Sequence, residues 1–417
     1  MSYNSELNTS NHDAQTHWDV GNPHTFVRNV SLPNLLALHA IYFGIILVVL
    51  LDWLGMFEYV SIEYSKYSRA VLVAVFILYI IRTGFKLSAF GFRFGNAFSY
   101  FLILAFTYSL ISKDMFDNFY STIRAAFWLL GTVAAYRLFI TDDLNEIKLR
   151  RITIVTVIIA AIFNIIFISS LDPDKYENAS AYLLLFCMPL LLLVRKSFLV
   201  YACITIACIA IVITVKRGAL IGLILSFIAY ALFYFKMNTR FLTFARGILA
   251  FVFLLAITYY MAVPRLDFIE KRFEDTSGSG RDIVYTLLIN HYSNAEIKNQ
   301  ILGFGINSVQ QYTGWFFHGS GTGIYAHSDW LQSLHDFGAL GIIFIVWFYL
   351  KFLALIFYHY KNNSPHAPPL VMGFVILFLS NIYSQWLMEP NTIILGLLLA
   401  FAQATIVKES YQLNSAS

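Results

Sequence analysis

Apolar runs separated by short polar connectors fill this chain from about residue 33 to about residue 407. A helix needs about 20 residues to cross about 30 Å of hydrocarbon, and lipid offers nothing to satisfy an open backbone. The pattern predicts twelve transmembrane helices, near 33–54, 68–85, 97–112, 119–140, 152–171, 179–194, 198–215, 218–235, 243–263, 338–358, 370–387 and 391–407. Runs 97–112 and 179–194 are short, with room to tilt or re-enter. The predicted fold class is therefore all-α, a polytopic integral membrane protein of about twelve spans. Its parts are a polar tail over 1–31, a membrane domain over 32–407, a large hydrophilic loop over 264–337 inserted between the ninth and tenth spans, and a short tail over 408–417.

Composition sharpens this picture. Apolar types form 59% of the chain and charged residues 12%, against about 45–50% and about 25% in ordinary soluble domains. Too few charges remain to cover a surface in water, which removes nucleic-acid binders, disordered chains and disulfide scaffolds from consideration. Cys187, Cys203 and Cys208 all lie in apolar runs without metal-ligand spacing and read as small buried hydrophobes. The polar N-terminal stretch lacks the basic start and short apolar run of a signal peptide. With that end placed inside, sixteen Lys and Arg fall in short inner connectors and seven in outer ones. The positive-inside rule then puts both termini in the cytoplasm and the large loop outside.

Charges out of place mark the candidate chemistry. Lys216 and Arg217 are wedged between two apolar runs (VITV-KR-GALIGL) on the outer side. Two readings fit: a tight turn whose long side chains snorkel to headgroups, or a cationic pocket at the outer interface. Gly218 and Gly222 would allow close helix contact there. In the loop, Arg281 sits in the first turn of a predicted helix (GSGRDIVY), where a cation opposes the helix dipole and calls for an anionic partner. That partner is Asp282 or Glu274 nearby, or an anionic ligand. The run GFGIN, with Gly303 and Gly305, reads as a tight turn near a ligand or a membrane surface. It is not a dinucleotide fingerprint, because no βαβ unit surrounds it.

The loop ends in AHSDWLQSLHDFGALG, a helix running into the tenth span. His327, at its start and at the membrane boundary, is the histidine singled out, with a capping or surface histidine as the bland alternative. His318 and His335 are weaker choices. Glu389 stands alone, so a glycosidase-style carboxylate pair is unsupported, and no residues show metal-ligand spacing. Arginines that grip phosphate oxygens bidentately can stabilise charge on a diphosphate leaving group, and a neutral histidine can take a proton from an attacking hydroxyl. This constellation fits transfer from a lipid diphosphate donor, which carries its own activation and leaves ATP unneeded.

Three features together resemble the O-antigen ligase/polymerase superfamily of bacterial polysaccharide enzymes. Arg217 follows the seventh span in TVKRGALIG, and GSGRDIVY presents Arg281 early in the large loop. His327-Ser328 precedes Gly338-Ala339-Leu340-Gly341 by nine residues, with GFGIN upstream. The resemblance implies a multi-pass protein of the bacterial inner membrane whose active site and large loop, containing short helices, face the periplasm. It implies an undecaprenyl diphosphate-linked glycan as donor and a lipid A-core sugar or another lipid-linked glycan as acceptor. Membrane lipids surround it, and no cofactor, metal, nucleic acid or obligate protein partner is implied. By resemblance, Arg217 and Arg281 bind the diphosphate and His327 activates the acceptor hydroxyl, with inversion at the anomeric centre. Lys216, Arg265 and Arg272 would assist them, and Gly303 and Gly305 would line the substrate site. Chain length, the twelve predicted spans and the single large loop before the tenth are most similar to ligases, with polymerase the alternative. A lipid-linked glycan transporter remains as the non-enzymatic reading. Ser328 after the histidine and Lys216 before the arginine depart from the commoner family pattern.

Overall fold

The computed structural model describes residues 32–56, 61–83, 92–112, 115–170, 180–194, 197–214, 216–237, 281–319, 323–385, 387 and 389–416. These residues are all-α. In chain order they form α1 (Leu32–Met56), α2 (Ile62–Arg82), α3 (Gly95–Ile111), α4 (Met115–Ile140), α5 (Glu146–Ser170), α6 (Ser180–Leu193), α7 (Phe198–Ile213) and α8 (Arg217–Met237). Then come α9 (Arg281–Ser293), α10 (Ile297–Leu302), α11 (Ser308–His318), α12 (Asp329–Lys361), α13 (Ala367–Tyr383), a 3-10 turn (Pro390–Thr392) and α14 (Ile393–Ala416).

Eleven of the twelve predicted runs fall on helices, α1 to α8 and α12 to α14, while run 243–263 lies outside the described residues. As a count of membrane crossings, however, twelve is corrected. Among the described residues five helices are long and apolar enough to span a bilayer: Glu63–Arg82, Met115–Ile140, Arg217–Met237, Asp329–Lys361 and Ile393–Ser410. The reason is length and charge. Helices α3, α6, α7 and α13 have 17, 14, 16 and 17 residues, and at about 1.5 Å per residue they reach about 21–26 Å. The described apolar stretch of α1 is Leu32–Val48, and α5 opens on the charged EIKLRR. Apolar runs in the sequence do not distinguish helices that face lipid from helices that face each other.

Burial shows which do the latter. Every residue of α6 from Ala181 to Leu191 is buried. In α14, Ile394, Leu397, Leu398, Leu399 and Ala400 are all at 0% exposure. All three cysteines are buried and free. An aromatic cluster joins α3, α4 and α12: Phe101 stacks on Phe344 at 4.3 Å, and Phe98 meets Trp128 at 5.3 Å. These rings supply large buried apolar area at the centre of the bundle.

The helices run between two ends of different character. At one end Asn34 bonds Asp143 at 2.6 Å, Lys408 pairs with Asp142, and Arg137 donates to the carbonyl of Ile80 at 2.9 Å. Lys236 lies over the ring of Tyr360 and Arg93 over that of Tyr358 there. The opposite end gathers the starts of α8, α9 and α12 with the end of α13, and it carries the predicted site residues.

Candidate active site

The last turn of α13 organises this site. The final carbonyls of a helix have no partner inside it and carry partial negative charge. Three successive carbonyls here each receive a side-chain donor. Ser328 Oγ donates to Asn381 O at 3.3 Å, Tyr285 OH points to Ile382 O at 3.4 Å, and Arg281 Nη1 donates to Tyr383 O at 3.1 Å. The Tyr285 proton is shared with the carbonyl of His327, 3.2 Å away. Burial raises the Tyr285 pKa, and the Arg281 charge pulls it partly back, so the phenol stays a donor.

Arg281 is the first residue of α9, as its place in the sequence predicts. Among the described residues no ion pair joins it to Asp282, and Glu274 lies outside them. Arg217 is the first residue of α8. Its neighbour Gly218 fits where a Cβ would lie 2.4 Å from Tyr182 Oη and 3.7 Å from Tyr383 Cβ, and at Gly222 a Cβ would meet Leu185 at 3.0 Å. The expected close helix contact is therefore made with α6, and it sets the start of α8 beside Tyr383. Lys216 lies with its Nζ 5.4 Å from the Tyr182 ring centroid. His327 precedes α12 and holds a left-handed backbone, φ 51°. Such a conformation in a residue with a side chain costs about 1–3 kcal/mol and persists only where its surroundings impose it.

The structure thus brings Arg217, Arg281, Lys216 and His327 to one end of α13. Arg265 and Arg272 lie outside the described residues. Gly303 and Gly305 are placed elsewhere, about two turns along α12 from His327. Their turn is bonded to α12 by Phe304 N to His335 O at 2.9 Å and Gly305 N to Asp336 O at 3.0 Å. Gly303 and Gly338 both have positive φ, 77° and 62°, and a Cβ on either would lie within 2.6 Å of the other segment's backbone. Gly303→Ala and Gly338→Ala are each expected to lower the thermal midpoint of the detergent-purified protein. The backbone strain alone costs about 1–3 kcal/mol. Unchanged midpoints in both would show that this turn is not held by close backbone contact.

Of the buried polar network beside this turn, the sequence reading singled out only His335. Asp336 accepts from Ser308 Oγ at 2.8 Å, Gln332 Nε2 at 2.7 Å, Asn307 N at 3.2 Å and Val309 N at 3.3 Å. His335 Nδ1 meets Ser308 Oγ at 2.8 Å, and its Nε2 meets His291 Nδ1 at 2.9 Å. With the Ser308 hydroxyl donating to Asp336, neutral His335 donates from Nδ1 to Ser308 Oγ and accepts at Nε2 from His291 Nδ1. Burial lowers the pKa of His291.

The segment that follows α13 is absent from the sequence reading as a unit. Gln385 Nε2 donates to Gln332 Oε1 at 2.5 Å, Leu387 N to Asp329 at 3.3 Å, and Trp128 Nε1 to Leu387 O at 2.7 Å. Glu389, isolated in the sequence, pairs with Arg124 of α4. The local signal is faint: a few polar residues (SNIYSQWLMEPN) where an apolar run ends.

A comparison with curated proteins finds no match. Residues 201–346 match the family described as Wzy_C: O-Antigen ligase, a stretch that includes Arg217, Arg281 and His327 but not the segment after α13. The chain therefore carries a domain of the O-antigen ligase/polymerase type, whose chemistry is glycosyl transfer.

Proposed function

We propose that this protein transfers a glycan from undecaprenyl diphosphate to a sugar hydroxyl of lipid A-core at the periplasmic face of the bacterial inner membrane. The observation that carries the reading is the convergence of Arg217, Arg281 and His327 on the end of α13. His327 takes the proton of the acceptor hydroxyl as its oxygen attacks the anomeric carbon. The bond from that carbon to the diphosphate oxygen breaks, and the negative charge left on the lipid diphosphate is met by Arg217 and Arg281, with Lys216 nearby. Direct attack inverts the anomeric centre. The orientation is supported by the opposite end, where Arg93, Arg137, Lys236 and Lys408 cluster with the described chain ends.

The test is transfer from a defined undecaprenyl diphosphate glycan, with lipid A-core and lipid-linked repeat units offered separately and products resolved by size. A single shift of lipid A-core to a glycan-bearing species is the expected result. A ladder growing on the lipid carrier without lipid A-core would make the protein a polymerase. No transfer to either acceptor, with ion-gradient-dependent movement of the lipid-linked glycan, would make it a transporter.

A further inference from the structure

His327 needs something to hold its backbone in the left-handed region. The carbonyl side is fixed by Tyr285, which ties it to α13. The amide side is fixed by a separate chain of contacts. Gln332 Oε1 accepts from the N–H of Ala326, the residue before His327, at 3.3 Å, and from Gln385 Nε2 at 2.5 Å. Gln332 Nε2 donates to Asp336 Oδ2 at 2.7 Å. Gln332 and Asp336 are 5% and 1% exposed, and Ala326 is 1% exposed. Their hydrogen bonds therefore form without competing water.

The direction of the Gln332 amide is determined by its partners. Asp336 already receives three donors from Asn307, Ser308 and Val309, so the NH2 group must face it. The carbonyl oxygen is then left for Ala326 and Gln385. Through Asn307, whose Nδ2 donates to Asn118 Oδ1 at 2.7 Å and meets Ser121 Oγ at 2.9 Å, the chain is anchored on α4.

We propose that Gln332, oriented by Asp336, is a positioning residue that sets the backbone of His327 for proton transfer. This rests on the reading of His327 as the base. Neither side chain has to touch the substrate. A misplaced base costs rate while leaving donor binding in place, since Arg217 is carried by α8 and Arg281 by α9, and neither bonds Gln332.

Two variants test it, assayed beside wild type and His327→Ala. Gln332→Met keeps the side-chain length and removes all three hydrogen bonds, to Ala326, Gln385 and Asp336; kcat is expected to fall about 10- to 100-fold with the donor KM little changed. Gln332→Glu keeps the acceptor for Ala326 but sets a carboxylate against Asp336. Two facing carboxylates share one proton, which restores the missing donor as pH falls. The ratio of kcat for Gln332→Glu to kcat for wild type should therefore rise between about pH 8 and about pH 6. The other titratable groups adjoining this chain among the described residues are Tyr325 and His327 beside Ala326, Asp329 and His335 on α12 and His291 on α9, and the ratio cancels the effects that both proteins share. A merely structural Gln332 would change the thermal midpoint without that pH-dependent rescue. Wild-type kcat in Gln332→Met, or a pH-independent ratio for Gln332→Glu, would overturn the proposal. An active His327→Ala would instead overturn the role of His327 itself.

Discussion

His327→Ala is expected to lose about 10²- to 10⁴-fold in kcat, the contribution of a positioned general base, while donor binding persists. His335, the weaker histidine candidate of the sequence, is buried and engaged by Ser308 and His291. The measurement is the initial rate of transfer from undecaprenyl diphosphate glycan, at saturating and subsaturating donor. A drop confined to kcat supports proton transfer by His327. A variant within a few fold of wild type would remove His327 from the chemistry and leave the cationic cluster to be explained as a binding site alone.

Arg217→Ala and Arg281→Ala are expected to cost about 10²- to 10³-fold each, the scale of removing one donor to developing negative charge. Lysine should rescue Arg281 poorly. The guanidinium bonds Tyr383 O with one nitrogen while keeping further N–H groups for phosphate oxygens, and an ammonium cannot reproduce that fork. Initial rates of the alanine and lysine variants decide this. Full activity in Arg281→Lys would mean that charge alone suffices, and the Tyr383 contact would then have no catalytic consequence. Because both arginines act on one leaving group, the double variant should lose less than the product of the single losses.

Much of this is legible along the chain. Apolar runs mark eleven of the described helices, and a cation at the head of α8 and another at the head of α9 stand out because each is unfavourable where it sits. Crossing number is not legible. A run such as that of α6 is as apolar as a lipid-facing helix, yet its 14 residues pack among other helices. The turn of GFGIN packs against α12, with close backbone contact at Gly303 and open space where a Cβ would lie at Gly305; a positive φ required by packing and one required by a ligand look alike in sequence.

By itself the sequence determined the helical class, the approximate helix positions and the four charged or titratable residues that stand out, Lys216, Arg217, Arg281 and His327, because hydrophobic runs and misplaced charges are local properties. Tertiary structure decided that these residues meet at the end of α13, that Glu389 finds Arg124, and that Gln332 reaches the amide before His327. Most of those contacts join positions tens to hundreds of residues apart. Only the packing of α8, α9 and α12 around α13 brings them within hydrogen-bonding distance, and hydrogen bonds act only at that range.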